Sequence, residues 1–336
     1  MHLASRALAC GADFSLLGPQ RTMLRATVPV IAVSAVRTGC GKSQIARWLA
    51  GALQERGLAV ASLRHPMPYG DLAAQRVQRF TSREDLTRAH CTAEEREEYE
   101  PYIEMRSVIY AGVDYAEILA RAEREADMLL WDGGNNDFPF LAPDGHLVVV
   151  DALRPDDLLT HHPGEAVLRM AHAVVVNKVD AATPAAVGRI AEQVRQIVPH
   201  VPILRAASPV VLDDPAAVRN RRAIVVDDGP TLTHGGMSYG AGYVAAVAAG
   251  AQEIVDPRPF AQGSVAATLR RYPHLERTLP AMGYGDEQIA DLKATLDASD
   301  ADVVVAGTPI DLARLLASKK PIVRARYGYA PTGEDG

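Results

Sequence analysis

Residues 29–44 read PVIAVSAVRTGCGKSQ, an apolar run followed by a glycine-rich turn that ends in Gly-Lys-Ser. A continuous apolar run is typical of a strand buried on both faces of a parallel sheet. A Gly-Lys-Ser turn between such a strand and a helix is typical of a phosphate-binding loop, although Val36 replaces the first glycine of the pattern G-x-x-x-x-G-K-[ST]. The stretch therefore predicts a P-loop unit whose helix runs from Ser43 to Arg56.

The turn carries the residue types that bind a nucleotide phosphate. Gly39 and Gly41 let the backbone curl so that its N–H groups face the anion, and the next helix presents its positive end. We expect Lys42 to reach the β- and γ-phosphates as a catalytic cation and Ser43 to bind Mg²⁺. The predicted nucleotide contacts in the turn are Thr38, Gly39, Cys40, Gly41, Lys42 and Ser43.

Two further motifs end apolar runs downstream. LLWDGG places Asp132 at the end of its run, where P-loop enzymes have an acid that holds Mg²⁺; the alternative is a turn aspartate. VVVNKVD supplies Asn177, Lys178 and Asp180, which resemble the N-K-x-D motif of GTPases. A carboxylate at Asp180 would accept hydrogen bonds from the guanine N1–H and 2-amino groups, a donor pair that adenine lacks; the alternative is a strand cap.

A cation, Arg37, lies inside the loop. The loop resembles that of MinD-type ATPases, in which a lysine at the matching position reaches a nucleotide across a dimer interface. This resemblance implies that Arg37 is catalytic and that the protein is a homodimer. The alternative is a solvated loop arginine.

Apolar runs alternate with helical patterns along the rest of the chain. LAVASLRH, DMLLWDGG, HLVVVDAL, HAVVVNKVD and PHVPILRAAS follow the first run, and RRAIVVDDGP, AQEIVDP, ADVVVAGTP and KPIVRARY form a second set. The alternation predicts an α/β fold with a doubly wound parallel sheet, whose functional loops share one edge. We predict a P-loop NTPase domain at 27–209, a smaller α/β domain at 210–330 and a disordered tail at 331–336. Residues 1–26, a helix (HLASRALACG) and a short strand (FSLLG), resemble the last piece of an α/β domain.

The stretch RHPMPYGDLAAQRVQRFTSRED follows the second predicted strand and holds several cations. We expect Arg64 and His65 to point into the site and bind the substrate. Arg76, Arg79 and Arg83 are spaced by three and four residues, which would place them on one helix face that grips phosphates. Arg76 and Arg79 are therefore predicted as catalytic and substrate-binding residues. The alternative is a solvated basic face balanced by the acidic run EEREEYEPYIE.

The second set contains one polar, glycine-rich loop, DDGPTLTHGGMSYGAG. Such a loop after a strand is a candidate binding site, although an ordinary long connection is the alternative. Asp227, Asp228 and Thr231 belong to it, and Thr233 and His234 are predicted as substrate-binding residues.

Composition limits the classes of function. The formal charge of -6 argues against a general nucleic-acid binder. The three cysteines form no C-x-x-C pair, which disfavours a disulfide framework and a structural zinc site. The sequence shows neither a long apolar span nor a signal peptide, so we expect no membrane partner and a cytoplasmic location.

Long motifs carry a resemblance to one family. VIAVSAVRTGCGKSQIARWLA, RHPMPYGDLAAQRVQRF, EEREEYEPYIE, WDGGNNDFPF, VVVNKVD, VDDGPTLTHGGMSYGAGYVAA and VAGTPIDLARLL together resemble the cyclic 2,3-diphosphoglycerate synthetase family. The resemblance implies an enzyme that uses ATP to close 2,3-diphosphoglycerate into its cyclic pyrophosphate, with release of ADP and phosphate. It also implies that residues 1–26 are the remnant of an N-terminal Rossmann-like region. Its partner would be that substrate or a related phosphorylated acid. Because N-K-V-D indicates guanine, GTP stays open as the nucleotide.

Two other functions share the P-loop class. A regulatory or metallochaperone GTPase would hydrolyse its nucleotide without a second substrate, but the chain lacks a C-x-C-C metal motif. A small-molecule kinase would need an acceptor, as the synthetase does.

Overall fold

The computed structural model describes residues 2–67, 70–133, 137–233, 235–281 and 285–332. The helices are α1 (His2–Ala9), α2 (Lys42–Glu55), α3 (Arg83–Arg88), α4 (Ala93–Glu104), α5 (Tyr115–Ala122), α6 (Gly164–Arg169), α7 (Pro184–Ile197), α8 (Gly229–Thr233), α9 (Ala241–Ala248), α10 (Gly263–Arg271), α11 (Asp286–Ala298) and α12 (Leu312–Leu316). The strands are β1 (Val30–Ala35), β2 (Val60–Arg64), β3 (Gln78–Phe80), β4 (Val108–Ala111), β5 (Met128–Asp132), β6 (Gly145–Asp151), β7 (Ala173–Asn177), β8 (Ile203–Ala207), β9 (Val210–Leu212), β10 (Arg222–Asp227), β11 (Glu253–Ile254), β12 (Leu279–Pro280), β13 (Val303–Gly307), β14 (Ile322–Tyr327) and β15 (Ala330–Pro331).

The first sheet has the order β15-β8-β7-β6-β1-β5-β2-β4-β3. Its inner strands are parallel, and only β15 and β3 at the edges are antiparallel to their neighbours. The chain crosses from β5 to β6 past the central β1, which creates a switch point at the carboxyl end of β1. The predicted α/β class with a doubly wound parallel sheet is therefore confirmed.

Successive side chains of β1 pack into hydrophobic cores on opposite faces of this sheet. Val33 packs in one core with Ile45 and Ala50 of α2, while Ala32 packs in the other core with Trp131. The alternation follows from the period of two along a strand, and it explains why the run at β1 is apolar throughout. The same packing holds the first turn of α2 against the sheet edge where the loop lies.

The second sheet has the order β11-β10-β13-β14-β9, and β12 also pairs with β10. Its strands β10, β13 and β14 are parallel, whereas β9 runs antiparallel to β14. The loop after β10 therefore starts at the carboxyl edge of this sheet and lies beside the phosphate loop of the first.

Two ribbon strands join the sheets. β9 and β14 form an antiparallel pair in the second sheet, and the chain continues from them into β8 and β15 of the first. The amide of Gly328 donates to the carbonyl of Pro209 at 3.1 Å, so the two connections run side by side.

The chain ends differ from the prediction at several points. Helix α1 lies within the predicted helix, but the predicted strand at 14–18 is wrong, because this segment pairs with no other strand. The tail predicted as disordered begins too early, because Pro331 pairs with Ala206 and the Thr332 amide donates to the Arg205 carbonyl at 2.9 Å. The rest of that tail, 333–336, lies outside the described residues.

A helix with both the length and the apolar character for crossing a membrane is not found in the part of the chain described.

Candidate active site

The phosphate loop joins β1 to α2 at the switch point. Gly39 and Gly41 adopt φ angles of 84° and 95°, a region that favours glycine. A Cβ atom on Gly41 would lie 2.4 Å from Asn177 Nδ2, and one on Gly39 would lie 2.9 Å from Arg154 Nη2. Val36, in place of the usual first glycine, is 3% exposed and donates its amide to the Val149 carbonyl at 3.1 Å. Because the hydrogen bonding of β1 extends through Val36, the loop begins one residue after the position of the first glycine in the usual pattern.

Three successive carbonyl groups of the loop accept hydrogen bonds from side chains. Arg154 Nη2 donates to the Thr38 carbonyl at 3.2 Å, and Lys178 Nζ donates to the Gly39 carbonyl at 2.7 Å. Asn177 Nδ2 donates to the Cys40 carbonyl at 2.9 Å. Carbonyls held in this way leave the loop amides to face an anion. Asn177 and Lys178 therefore hold the backbone of the loop, and their predicted role in binding a nucleotide stays a prediction.

A buried aspartate forms ion pairs with two of these donors. Asp151, at the end of β6, lies 2.8 Å from Lys178 Nζ and 3.1 Å from Arg154 Nη2 through its Oδ2 atom. Burial, then the Asp151 charge, raises the pKa of the Cys40 thiol to about 11, so this cysteine stays protonated at neutral pH. Asp151 and Arg154 are not among the residues predicted from the sequence, although the strand-terminal aspartate of HLVVVDAL is a signal of the same kind as Asp132.

Asp132 is fully buried at the end of β5 among three partners. Its Oδ2 atom accepts from Arg64 Nη1 at 2.7 Å and from Tyr102 Oη at 3.0 Å, and its Oδ1 atom lies 3.7 Å from Lys42 Nζ. Burial opposes ionisation, but the charges of Arg64 and Lys42 hold the pKa of Asp132 below its ordinary value. Arg64 is therefore a partner of Asp132, and through a second contact at 2.7 Å it also pairs with Glu98.

The residues predicted to hold Mg²⁺ fit such an ion. Among the described residues, none donates a hydrogen bond to Asp132 Oδ1, which is buried beside Lys42. Lys42 Nζ donates to Ser43 Oγ at 3.2 Å, which brings the hydroxyl to the same lysine as the carboxylate. A hydroxyl and a free carboxylate oxygen are hard oxygen ligands of the kind Mg²⁺ prefers.

Asp180 faces the cavity beside the loop. Its Oδ1 atom accepts from the Ser208 amide at 2.9 Å, and Ser208 Oγ donates to Gln44 Oε1 at 3.1 Å. The predicted recognition of a guanine base by Asp180 stays a prediction.

Arg37 and His65 contact groups of their own chain. Arg37 pairs with Asp157 and donates to the Gly235 carbonyl, to which Arg154 Nη1 also donates at 2.9 Å. The role of Arg37 across a dimer interface stays a prediction. His65 Nδ1 lies 3.0 Å from Asp137 Oδ2, at the carboxyl end of β2.

The remaining predicted cations do not form one helix face. Arg76 lies in a turn and Arg79 lies on strand β3, so the prediction of a shared helix is wrong. Arg79 pairs with Glu125 at 2.6 Å with its side chain 43% exposed, and Arg76 pairs with Asp114 and Glu117 with its side chain 64% exposed. The strand forms because residues 78–80 pair antiparallel with β4, which overrides the helical spacing of the charges. Neither arginine lines the cavity beside the phosphate loop.

That cavity measures about 330 Å³ and lies between the phosphate loop and the second sheet. Its lining includes four carboxylates, of which Asp180 lies beside the phosphate loop. The other three, Glu97 and Glu98 of α4 and Asp228 after β10, we call the acid wall. Thr308 donates to Glu97 Oε1, which ties α4 to the second sheet. Burial, then the Asp228 charge, raises the pKa of Glu97 well above its ordinary value, and burial, then the Glu98 charge, raises the pKa of Asp228.

Some residues of the loop after β10 hold its backbone in place, and others line the cavity. Asp227 accepts from the amides of Gly240 and Gly242 at 2.8 and 2.6 Å, which anchors the start of α9, and its burial raises the pKa of Asp227 to about 7. Thr231 lines the cavity, whereas Thr233 donates to the Gly229 carbonyl within α8 at 2.9 Å. His234, the other predicted substrate residue, lies outside the described residues.

Known proteins similar to this chain are found both by sequence and by structure. The chain is 55% identical over 334 residues to the arginine synthetase ArcE of Thermococcus kodakarensis, a match that covers 99% of this chain and 75% of that protein. LpxK from Aquifex aeolicus in complex with ATP is similar over 99% of this chain and 91% of its own, with a TM-score of 0.50 and 13% identity. The hydrogenase maturation factor HypB from Archaeoglobus fulgidus covers 53% of this chain and 80% of its own, with a TM-score of 0.36 and 17% identity.

At 13% identity, the likeness to LpxK shows the fold alone. No protein-family model matches the chain. None of the proteins named here is a cyclic 2,3-diphosphoglycerate synthetase, so that resemblance stays a prediction.

Proposed function

The chain belongs to the family of the arginine synthetase ArcE, and on that premise we propose that it is a nucleotide-dependent synthetase that forms arginine. The observation that carries the proposal is the position of the acid wall, in the same cavity as the phosphate loop. A guanidinium group bound at this wall would pair with its carboxylates and lower the raised pKa values of Glu97 and Asp228, whereas a polyanion would raise those pKa values further. The cavity thus suits a nucleotide phosphate at one side and a guanidinium at the other.

The phosphate loop supports the nucleotide part of the proposal. We assign the phosphate contacts to the amides of the loop and to Lys42, and Mg²⁺ to Ser43 and Asp132. When bound, Mg²⁺ would neutralise charge on the transferred phosphoryl group. Asp180 faces the cavity where it can meet a base, so the choice between ATP and GTP depends on whether its free oxygen is used.

The chemistry of arginine formation matches this division of charge. Arginine differs from the ureido amino acid citrulline by one nitrogen in place of the ureido oxygen. Transfer of the γ-phosphoryl group to that oxygen makes it a leaving group, and attack by ammonia on the carbon then expels phosphate. The products are arginine, a nucleoside diphosphate and inorganic phosphate. Lys42 would stabilise the transferred charge, and the acid wall would stabilise the positive charge that grows at the guanidinium carbon.

Closure of 2,3-diphosphoglycerate into its cyclic pyrophosphate is the competing proposal. It uses the same phosphoryl activation, and the cations at the loop, Lys42, Arg37 and Arg154, favour it. The acid wall opposes it, because the substrate carries two phosphates and a carboxylate. The arginines predicted to offset those charges, Arg76 and Arg79, pair with carboxylates outside the cavity. The position of the acid wall therefore favours the arginine proposal.

One assay separates the two reactions. Purified protein, Mg²⁺ and either ATP or GTP are incubated with citrulline and ammonium, or with 2,3-diphosphoglycerate, and the products are followed by phosphorus NMR and amino-acid chromatography. We expect arginine and phosphate to appear together, and only when all substrates are present. Cyclic pyrophosphate signals without arginine would favour the competing proposal. Nucleotide hydrolysis that needs no second substrate would favour a GTPase switch.

A further inference from the structure

A second cavity of about 570 Å³ lies on the other side of α2. It is bounded by α2, by the end of α4 and by the ribbon strand β14 with the residues that follow it. Gln44, Arg47, Pro309 and Tyr327 line this second cavity and also the first. The two cavities therefore share a wall.

Arg47 is the cation on that shared wall. It is half-buried on α2, and within the described chain no side chain or carbonyl accepts a hydrogen bond from its guanidinium group. Burial raises the pKa of Asp132, and the charges of Arg64, Lys42 and Arg47 lower it, in that order of size. A half-buried arginine without an acceptor is a ready partner for an anion.

The other arginines that line the second cavity are already engaged. Arg326 pairs with Asp213 at 2.6 Å, and Arg324 donates to the Pro309 carbonyl. The second cavity thus offers one free guanidinium, that of Arg47, among the residues that the structure describes. Trp48 stands beside it, 42% exposed, with its ring centroid 4.8 Å from that of Tyr329.

We propose that Arg47 binds the α-carboxylate of the amino-acid substrate, whose body lies across the shared wall with its reacting end toward Lys42. This inference rests on the proposed formation of arginine. Arg47 follows Ser43 by one helical turn, which is about 6 Å along α2. An extended arginine spans a comparable distance between its guanidinium carbon and its carboxylate. The arrangement would give a zwitterionic amino acid an arginine at one end and the acid wall at the other.

The test compares two ligands that differ only in the carboxylate. Arginine and agmatine, its decarboxylated analogue, are titrated by calorimetry into the protein in the presence of ADP and Mg²⁺. A charge-assisted hydrogen bond to a carboxylate corresponds to about a 10- to 100-fold change in affinity. We therefore expect wild-type protein to prefer arginine by that factor and Arg47→Gln to lose the preference, with agmatine binding unchanged.

Matched variants locate the effect. Arg56→Gln removes an exposed arginine that directly follows α2 and, within the described chain, donates to the Ala52 carbonyl at 2.9 Å. This variant should keep the full preference. Arg47→Lys keeps the positive charge but lacks the planar guanidinium group, so this variant should retain part of the preference for arginine. Trp48 fluorescence should change with arginine, and Trp48→Phe should remove that signal. Equal thermal unfolding of Arg47→Gln and wild type excludes misfolding as the cause.

The outcomes separate the subsite from the proposed function. If Arg47→Gln keeps the preference for arginine while arginine is still synthesised, the carboxylate subsite is wrong and the proposed function stands. If neither arginine nor agmatine binds and no arginine forms, the proposed function fails, and the subsite fails with it. A KM for citrulline that rises in Arg47→Gln, with the KM for nucleotide unchanged, supports both.

Discussion

Arg64 ends strand β2 and Arg79 lies on β3 in the next stretch of chain, yet they have opposite surroundings. Arg64 is 3% exposed and reaches two carboxylates, one of them the buried Asp132 beside the phosphate loop. Arg79 is on an edge strand, with its side chain 43% exposed, and pairs with Glu125 at the surface. The sequence predicts both arginines as substrate-binding residues. The carboxylate within reach decides which belongs to the site.

The surroundings also decide what each ion pair contributes. Breaking a buried pair leaves an unpaired charge without water, whereas breaking an exposed pair returns both charges to solvent. Burial lowers and then Asp132 and Glu98 raise the pKa of Arg64, with a net increase, so it stays charged throughout the usual pH range. The comparison therefore predicts large effects at the buried cations and small ones at the surface.

The largest effect is expected at Lys42. Lys42→Ala removes the buried cation that lies beside both Asp132 and Ser43. Turnover should fall at least 10²- to 10³-fold, an order of magnitude typical for loss of one preorganised charge. Steady-state rates with nucleotide and acceptor measure it. Lys293→Ala, which removes a surface lysine paired with Asp297, is the matched control and should leave the rate unchanged. Near wild-type turnover in Lys42→Ala would show that the phosphate loop is not the nucleotide site.

Arg64→Gln should give the largest loss of stability. The change leaves Asp132 buried with one cation fewer, which lowers the free energy of unfolding by about 3–5 kcal/mol. Arg79→Gln breaks a partly exposed pair and should lower it by about 0–1 kcal/mol. Denaturant titrations of the two variants measure the difference. Equal losses would mean that burial does not separate the two arginines.

Asp180→Ala distinguishes the bases. If Asp180 reads guanine, the affinity for GTP should fall at least about tenfold, the ratio for a lost charge-assisted hydrogen bond, and the affinity for ATP should hardly change. Competition binding with a fluorescent nucleotide gives both values. Small, equal effects would assign Asp180 to its contact with the Ser208 amide, and ATP would be the preferred nucleotide.

The smallest effect is expected at Arg76. Arg76→Lys preserves a surface charge whose partners, Asp114 and Glu117, lie outside the cavity, so kcat and KM should equal those of wild type. Full kinetics with each candidate substrate measure them. A lower rate, or a raised KM for 2,3-diphosphoglycerate alone, would restore the phosphate-binding role that the sequence predicts for this arginine.

The strands and the loop could be predicted because their signals are local. An apolar run, two glycines and Gly-Lys-Ser specify strand, curl and helix start within residues 29–44, and β1 to α2 follow that pattern. The acid wall could not be predicted in this way. Glu97 stands in the acidic run EEREEYEPYIE, where a solvated helix is the simple interpretation. Its role depends on Thr308, which is 211 residues away in the chain and contacts it only after both sheets have formed.

The paired connections between the sheets have a mechanical consequence. A single linker lets two bodies rotate freely, but two strands bonded side by side, as Pro209 and Gly328 are, resist twisting and bend mainly across their flat face. Residues 327–329 of this ribbon also line the second cavity. Bending would therefore widen or narrow that cavity and, through the shared wall, move Tyr327 relative to the phosphate loop. Bending of the ribbon would thereby couple the width of the second cavity to the distance between Tyr327 and the phosphate loop.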